Sequence, residues 1–350
     1  MEVVLRKAQL MAVQRPRISI CIANYNGEEI LPDCLESLHR QDLNHDFEVI
    51  IHDDASTDES IKLIRTRYPN VHLLTSDHNL GFCVSNNRMV SQASGEFVLL
   101  LNNDAALFPD ALSSLLAESR KYPDGAILTL PQFDWKTGDL VDRGSLLDPF
   151  YNPIPNLDTE RSEVAMAIGA CLWIPRHMWN RLGGFPDWFE SIAEDLWLCC
   201  KARLAGVPVH TLNNSGFRHR QGFSFGGNKP QRSKLSSTYR RRRLSERNKM
   251  QTLIVMTPGI LMWPLLLSHL VAFVTEGVIL LAIKQESRIW RDIYYGCLQD
   301  IWGNRAMIRT ERQKIQGRRI RSTLSFISQF RAIPRKLILF YYYGIPRITD

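Results

Sequence analysis

The sequence predicts an α/β fold: a mostly parallel sheet with helices on both faces, followed by a helical, membrane-associating C-terminal region. Three observations carry this. Over residues 17–130, short apolar runs ending in polar residues alternate with segments of helical spacing. Residues 251–283 form the most apolar stretch, and residues 259–283 within it number 25. The charge is also divided: residues 1–228 carry 20 Lys and Arg against 29 Asp and Glu, and residues 229–350 carry 23 against 7. The formal net charge of +7 is therefore the sum of −9 and +16. With 45% hydrophobic and 23% charged residues, the composition excludes a wholly disordered, collagen-like or disulfide-scaffold chain.

RISICIANYN, FEVIIHDD, VHLLTS and EFVLLLNND read as strands. Between them, Ile30, Cys34, Leu35 and Leu38 mark one helical face, and residues 55–68 and 86–94 behave similarly. Strand and helix in alternation imply βαβ units, whose ligands bind at the carboxyl edge of the sheet. Residues 131–163, rich in Pro, Asp and Asn, read as a long loop. VAMAIGACLWIPR and VPVHTL return to strand-like character, with a loop and helix over residues 183–206 between them.

The 259–283 stretch is long enough for a bilayer core of roughly 30 Å. Pro264, Ser268, His269, Thr275 and Glu276 interrupt it, and a mid-segment Glu is costly in hydrocarbon. An interfacial or re-entrant helix pair is therefore expected, against the plainer reading of a buried helix. Residues 240–243, all Arg, precede it, and more Arg and Lys follow to 336, which suits an anionic cytoplasmic leaflet. Seven cysteines, an odd number without CxxC, read as reduced thiols. The N-terminus lacks a continuous apolar run, so no signal peptide is expected. The expected organisation is an extension at 1–16, an α/β domain at 17–228 and the basic region at 229–350.

Four motifs at predicted strand ends and loops can carry chemistry. Asp53 and Asp54, with Ser56 and Asp58 after them, can accept hydrogen bonds from a base or ribose, or cap the next helix. Asn102, Asn103 and Asp104 offer hard oxygen ligands for a divalent ion, or an Asx turn. Glu194 and Asp195 open a helix, where acids favour the macrodipole; the functional reading is a general base, with Trp188 or Phe189 as a platform for a sugar ring. His219 and Arg220 begin a basic loop, residues 219–224, suited to a diphosphate.

From Ile18 to about Leu253 the sequence resembles the inverting family-two glycosyltransferases of GT-A fold, and within them a rhamnosyltransferase-like branch. ISICIANYNG, EVIIHDDASTDES, NLGFCVSNNRMVSQASGEFVLLLNNDA, GACLWIPR, AEDLWL and SERNKMQTLI carry the resemblance. It implies that Asn24 and Asn26 line a nucleotide pocket and that Asp53 or Asp54 contacts the nucleobase. Asn79, Gly81, Asn87, Asn102, Asn103 and Arg220 would face the donor. Asp104, Asn102 and His219 would hold Mg²⁺ or Mn²⁺. Asp195 would be the base and Glu194 its neighbour. Asn102 stands where a carboxylate is usual, Trp197 where an acid is common, and Lys201 where Arg is usual. The partners implied are a nucleotide-diphospho sugar such as dTDP-rhamnose or a UDP-sugar, a lipid-linked glycan acceptor and an anionic membrane. No nucleic acid is expected, and the oligomeric state, dimer included, stays open. The rival readings are a nucleic-acid binder using residues 240–243 and an inactive GT-A scaffold.

Overall fold

The first strand, β1 (Ile18–Asn24), is apolar on alternating faces, as a strand covered from both sides requires. The computed structural model describes residues 16–43, 47–220, 227–231 and 234–349. The expected extension, apart from its last residue, and residues 221–224 of the basic loop lie outside these.

β1 leads through α1 (Leu31–His39) to β2 (Phe47–Asp53), then through α2 (Ser60–Arg67) to β3 (His72–Thr75) and through α3 (Phe82–Gln92) to β4 (Phe97–Leu101). Ile18, Ile20 and Ile22 pack with Leu31, Cys34, Leu35 and Leu38 of α1 on one side of the sheet. Cys21, Ile50, Val98 and Leu100 pack with Cys83, Met89 and Val90 of α3 on the other. α3 begins at Phe82, before the expected residue 86, because Gly81 at φ 89° turns the chain into it. α2 begins only at Ser60, after Ala55 at φ 65°; the Asp58 carboxylate accepts from the Ser60 N–H at 3.0 Å.

The chain continues through β5 (Ala105–Leu107), α4 (Ala111–Ser119), β6 (Ile127–Thr129), β7 (Gln132–Asp134), β8 (Leu140–Asp142), β9 (Leu146–Leu147), β10 (Pro153–Ile154) and β11 (Cys171–Pro175). α5 (Arg176–Leu182), α6 (Glu194–Leu204), β12 (Val209–Thr211) and β13 (Phe217–His219) follow. The main sheet has seven strands in the order β12-β6-β11-β4-β1-β2-β3. β11 runs antiparallel to β4 and β6, and the other pairs are parallel. A second sheet has the order β5-β13-β7-β8. The expected loop at 131–163 therefore holds four short strands, too brief for a periodic signal. Its polar residues turn inward. Asp148, fully buried, accepts from the backbone N–H of Phe150, Asn152 and Arg335.

Strands β14 (Gly227–Gln231), β15 (Lys234–Thr238) and β16 (Arg347–Thr349) form a small sheet flanking the C-terminal helices. These are α7 (Tyr239–Met256), α8 (Met262–Lys284), a π-helical turn (Ile289–Tyr295), α9 (Gly296–Gly303), α10 (Arg305–Gly317), α11 (Thr323–Ile327) and α12 (Arg335–Tyr343). Leu253, Met256, Ile308, Ile315 and Phe326 share one buried cluster with Leu172 and Ile174 of β11, so the core continues across the expected boundary at 228. All seven cysteines are buried thiols.

Two expectations for this region are corrected. The apolar stretch is one continuous helix, α8, rather than a pair: Pro264 falls in its first turn, where its missing N–H breaks no bond. Glu276 is paired with Arg242 at 2.6 Å and Lys336 at 2.8 Å, so its charge is neutralised inside the protein. Most of the Arg run at 240–243 is likewise tied to protein carboxylates rather than left for lipid or nucleic acid, with Arg242 the most deeply buried and Arg240 exposed. Arg240 pairs with Glu190, Arg242 with Glu276 and Arg243 with Asp300.

The inner stripe of α8 is His269, Phe273, Gly277 and Leu280. A Cβ at Gly277 would sit 2.8 Å from the Tyr294 ring and 2.9 Å from Trp290. Gly277→Val should cost about 1–3 kcal/mol through overpacking and lower the thermal midpoint. An unchanged midpoint would mean that α8 does not pack on the π-helical turn.

Candidate active site

β1, β2 and β4 end at one edge of the sheet, and their polar ends are wired together. Asn24 Nδ2 donates to Asp53 Oδ2 at 2.8 Å, and Asn103 Nδ2 donates to Asn24 Oδ1 at 2.9 Å. Asp53, fully buried, also accepts from the Ser56 N–H at 2.9 Å and the Ser56 hydroxyl at 2.8 Å. Asn26, at φ 50°, receives the Thr57 N–H at 2.8 Å. Asp54 accepts from the Ser76 hydroxyl and from the N–H groups of Leu80 and Gly81 at 3.0, 2.7 and 2.8 Å. The two aspartates thus hold the loops at this edge of the sheet, and facing a ligand would be a second duty. Tyr25, 48% exposed beside them, was not singled out from the sequence.

Asp104 follows β4 and is buried; its Oδ1 lies 3.0 Å from His219 Nε2 at the end of β13. Asn102 Oδ1 and His219 Nδ1 are buried without a partner among the described residues. Among those residues no group of three or more His, Cys, Asp or Glu converges. The residues that could hold a divalent ion are Asp104 and His219, with the Asn102 amide oxygen beside Asp104 in sequence. One carboxylate, one imidazole and orphaned acceptor atoms fit a weakly held ion completed by substrate oxygens. Arg220 is less free than expected. It pairs with Asp33 at the start of α1, and its guanidinium lies 4.1 Å from the centre of the Trp135 ring.

The acidic pair opens α6 after a contorted loop. Glu190, Ile192 and Ala193 have φ of 62°, 69° and 67°, each left-handed and each costing about 1–3 kcal/mol for a side-chain-bearing residue. Asp195 Oδ2 accepts from the Gly169 N–H at 2.9 Å, and Oδ1 from the Leu196 N–H at 2.7 Å. Next to Gly169, the Ala170 carbonyl accepts from the Asn102 N–H at 3.1 Å. Two adjacent residues before β11 therefore join Asp195 to the strand end that bears Asp104, although the two motifs lie far apart in sequence.

Burial pushes Glu194 up to about 8, with the Asp195 charge adding to it. Burial also raises Asp195, against the pull of the Gly169 and Leu196 N–H groups. At neutral pH the pair carries its charge on Asp195, whose ionised form those two N–H groups favour, and Glu194 keeps its proton. Burial weakens the hold of Arg241 on its proton, and Glu194 opposes this from nearby.

The remaining expected residues divide. Asn87 holds the acidic loop from α3: it donates to the Phe185 carbonyl at 2.9 Å and to Asp187 at 2.7 Å. Gly81 approaches the same loop so closely that a Cβ would lie 2.9 Å from the Glu190 carbonyl oxygen. Asn79 is exposed. Trp188 is 36% exposed and can face a sugar. Phe189 cannot, which corrects the expectation: it is fully buried against Trp197, with ring centres 5.2 Å apart.

The raised Glu194 has a stability consequence. The fold keeps its proton up to about pH 8, whereas the unfolded chain releases it near 4.5. The unfolded state then binds fewer protons across this window, and stability falls as pH rises through it. Glu194→Gln should raise the thermal midpoint relative to wild type, by more at about pH 8 than at about pH 5. An equal gain at both pH values would show that Glu194 titrates normally.

Residues 19–183 match the family model Glycosyl transferase family 2. The chain is 30% identical over 188 residues to chondroitin synthase of Escherichia coli, covering 52% of this chain and 26% of that one. It is 26% identical over 211 residues to N-acetylglucosaminyl-diphospho-decaprenol L-rhamnosyltransferase of Mycobacterium tuberculosis, covering 48% of this chain and 68% of that one. The chain thus spans about a quarter of the first relative's length. A crystal structure of GalNAc-T7 with UDP, GalNAc and Mn²⁺ superposes with a TM-score of 0.55 at 14% identity, over 68% of this chain and 48% of that one. That likeness shows the GT-A fold. The polar strand ends wired to Asn24 thus lie within residues 19–183, the part of the chain that matches glycosyl transferase family 2, and the acidic pair is joined to them through Gly169 and Ala170.

Proposed function

We propose that the protein is an inverting glycosyltransferase that moves a sugar from a nucleotide-diphospho sugar to a hydroxyl of a lipid-linked glycan, at the cytoplasmic face of a membrane. The observation that carries this is the link from Asp195 through Gly169 and Ala170 to Asn102. It supports reading the Asp195 carboxylate as a base that works beside a strand end able to hold a cation. Asp195 takes the proton from the acceptor hydroxyl as that oxygen attacks the anomeric carbon from the face opposite the diphosphate. Asp104 and His219, with Asn102, would hold Mg²⁺ or Mn²⁺, which when bound supplies positive charge to the leaving diphosphate. Asn24, Asn26, Gly81 and Asn103 shape the donor pocket, with Asp53 and Asp54 bracing its loops. Trp188 offers a ring face to the acceptor. The mycobacterial relative's name favours a rhamnosyl donor, dTDP-rhamnose, over a UDP-sugar, and a polyprenyl-diphosphate-linked acceptor.

Losing a general base costs about 10²–10⁴ in rate. Asp195→Asn should lose that much in a screen of thymidine-, uridine- and guanosine-linked sugars with Mg²⁺ and Mn²⁺, scored by nucleoside diphosphate release. Nucleotide binding should persist. Undiminished turnover would remove Asp195 from the role.

The membrane side of the proposal rests on exposed apolar side chains. On α8 these include Trp263, Leu267, Val271, Val278 and Ile283, and on α12 Leu337, Phe340 and Tyr341. α8 is the one helix among the described residues long and apolar enough to cross a membrane. Lys284 at the end of α8, and Arg291, Arg305 and Arg309 in the segments that follow it, are exposed and supply the basic character. Leu267→Glu with Val271→Glu should weaken binding to anionic phospholipid vesicles by at least about tenfold, a change of 1.4 kcal/mol or more. Equal binding by the variant would place the lipid contact elsewhere.

A further inference from the structure

The geometry points to Asn248, backed by Arg247, as the positioning residue that sets the acidic pair for catalysis; this rests on the reading of Asp195 as the base. Asn248 lies in the third turn of α7 and is fully buried. Its side-chain Nδ2 reaches the carbonyl oxygens of Phe189, Ser191 and Ile192 at 3.1, 2.9 and 2.8 Å. Its Oδ1 accepts from Arg247 Nε at 2.9 Å, which fixes which end of the amide faces the loop. Arg247 adds bonds from Nη2 to the carbonyls of Trp188 and Phe189, both at 3.1 Å, and an ion pair with Glu190 at 3.2 Å.

These bonds fall on the segment whose backbone is least able to hold itself. Glu190, Ile192 and Ala193 are left-handed, and Ile192 is β-branched, the side-chain type least suited to that region. A backbone of this kind persists only when its surroundings over-determine it. One buried amide that gathers three of the loop's carbonyls does so. The segment ends at Ala193, directly before Glu194 and Asp195, so the direction in which α6 leaves it decides whether the Asp195 carboxylate meets the Gly169 N–H. Asn248 touches neither the donor pocket nor the carboxylates; it acts through the loop.

Kinetics of the full chain with its sugar donor and acceptor test this. Asn248→Ala should lower kcat by about 10- to 100-fold, with donor KM and nucleoside diphosphate affinity unchanged. Without its Gly169 bond the Asp195 carboxylate loses a contact that favours its ionised form, so the acid limb of the kcat/KM profile should move to higher pH. In the Asp195→Asn background, Asn248→Ala should cost nothing further, since the group it positions is already gone. Asn248→Ser, which keeps one hydroxyl donor, should recover part of kcat, and it carries the same comparison if the alanine variant does not fold. Losses that add in the double variant, or an unmoved acid limb, would overturn the inference and leave Asn248 as packing. Full activity of Asp195→Asn alone would instead defeat the reading of the base, a separate result.

Discussion

Two hydrogen bonds made by the backbone just before β11 organise the edge of the candidate site. The Gly169 N–H goes to Asp195 and the Ala170 carbonyl receives the Asn102 N–H. They depend on β11 running antiparallel between β4 and β6, which brings its first residues to the edge where β1, β2 and β4 finish. A parallel strand in that slot would have presented its far end. One reversed strand therefore lets an acid from late in the chain meet the polar residues that end the earlier strands.

The strands and their polar ends were legible because their apolar residues are continuous and β-branched or leucine-rich, and such runs stop abruptly at Asn24, Asp53 and Asn102. The α1 face at Ile30, Cys34, Leu35 and Leu38 was legible for the same periodic reason. Phe189 was misread because its neighbour Trp188 has the same aromatic character. Only the turn over Asp187–Phe189 and the packing on Trp197 decide which ring points outward. The bracing work of Asp53 and Asp54 was hidden for a different reason: their partners Ser56, Ser76, Leu80 and Gly81 are fixed by loop geometry that no periodicity records. The loop at 131–163 shows the limit of composition. Asp142, Asp148 and Asn152 signal turns, yet here they serve a buried network.

Charge counting proved informative about region and misleading about position. The positive excess after residue 228 is real, but much of its first turn is internal. Arg242 reaches Glu276 on α8, Arg243 reaches Asp300 on α9, and buried Lys249 sits with Glu246 and Asn152. An ion buried in this way is held by its partners and is unavailable to a lipid or phosphate surface. What remains outside is Arg240 and a set of later Lys and Arg, a different composition from the one that the linear tally suggests.

α7 carries both kinds of attachment on one continuous rod. Arg242 and Arg243 fasten it to α8 and α9, and within two turns Arg247 and Asn248 fasten it to the loop before the acidic pair. No hinge lies between those anchor points, since all fall within a single helix. A torque applied to α8 is therefore delivered to a segment already held in an unfavourable backbone conformation. On the proposed reading of Asp195, chemistry and seating would then share one mechanical shaft, and tilting the seat would detune the carboxylate.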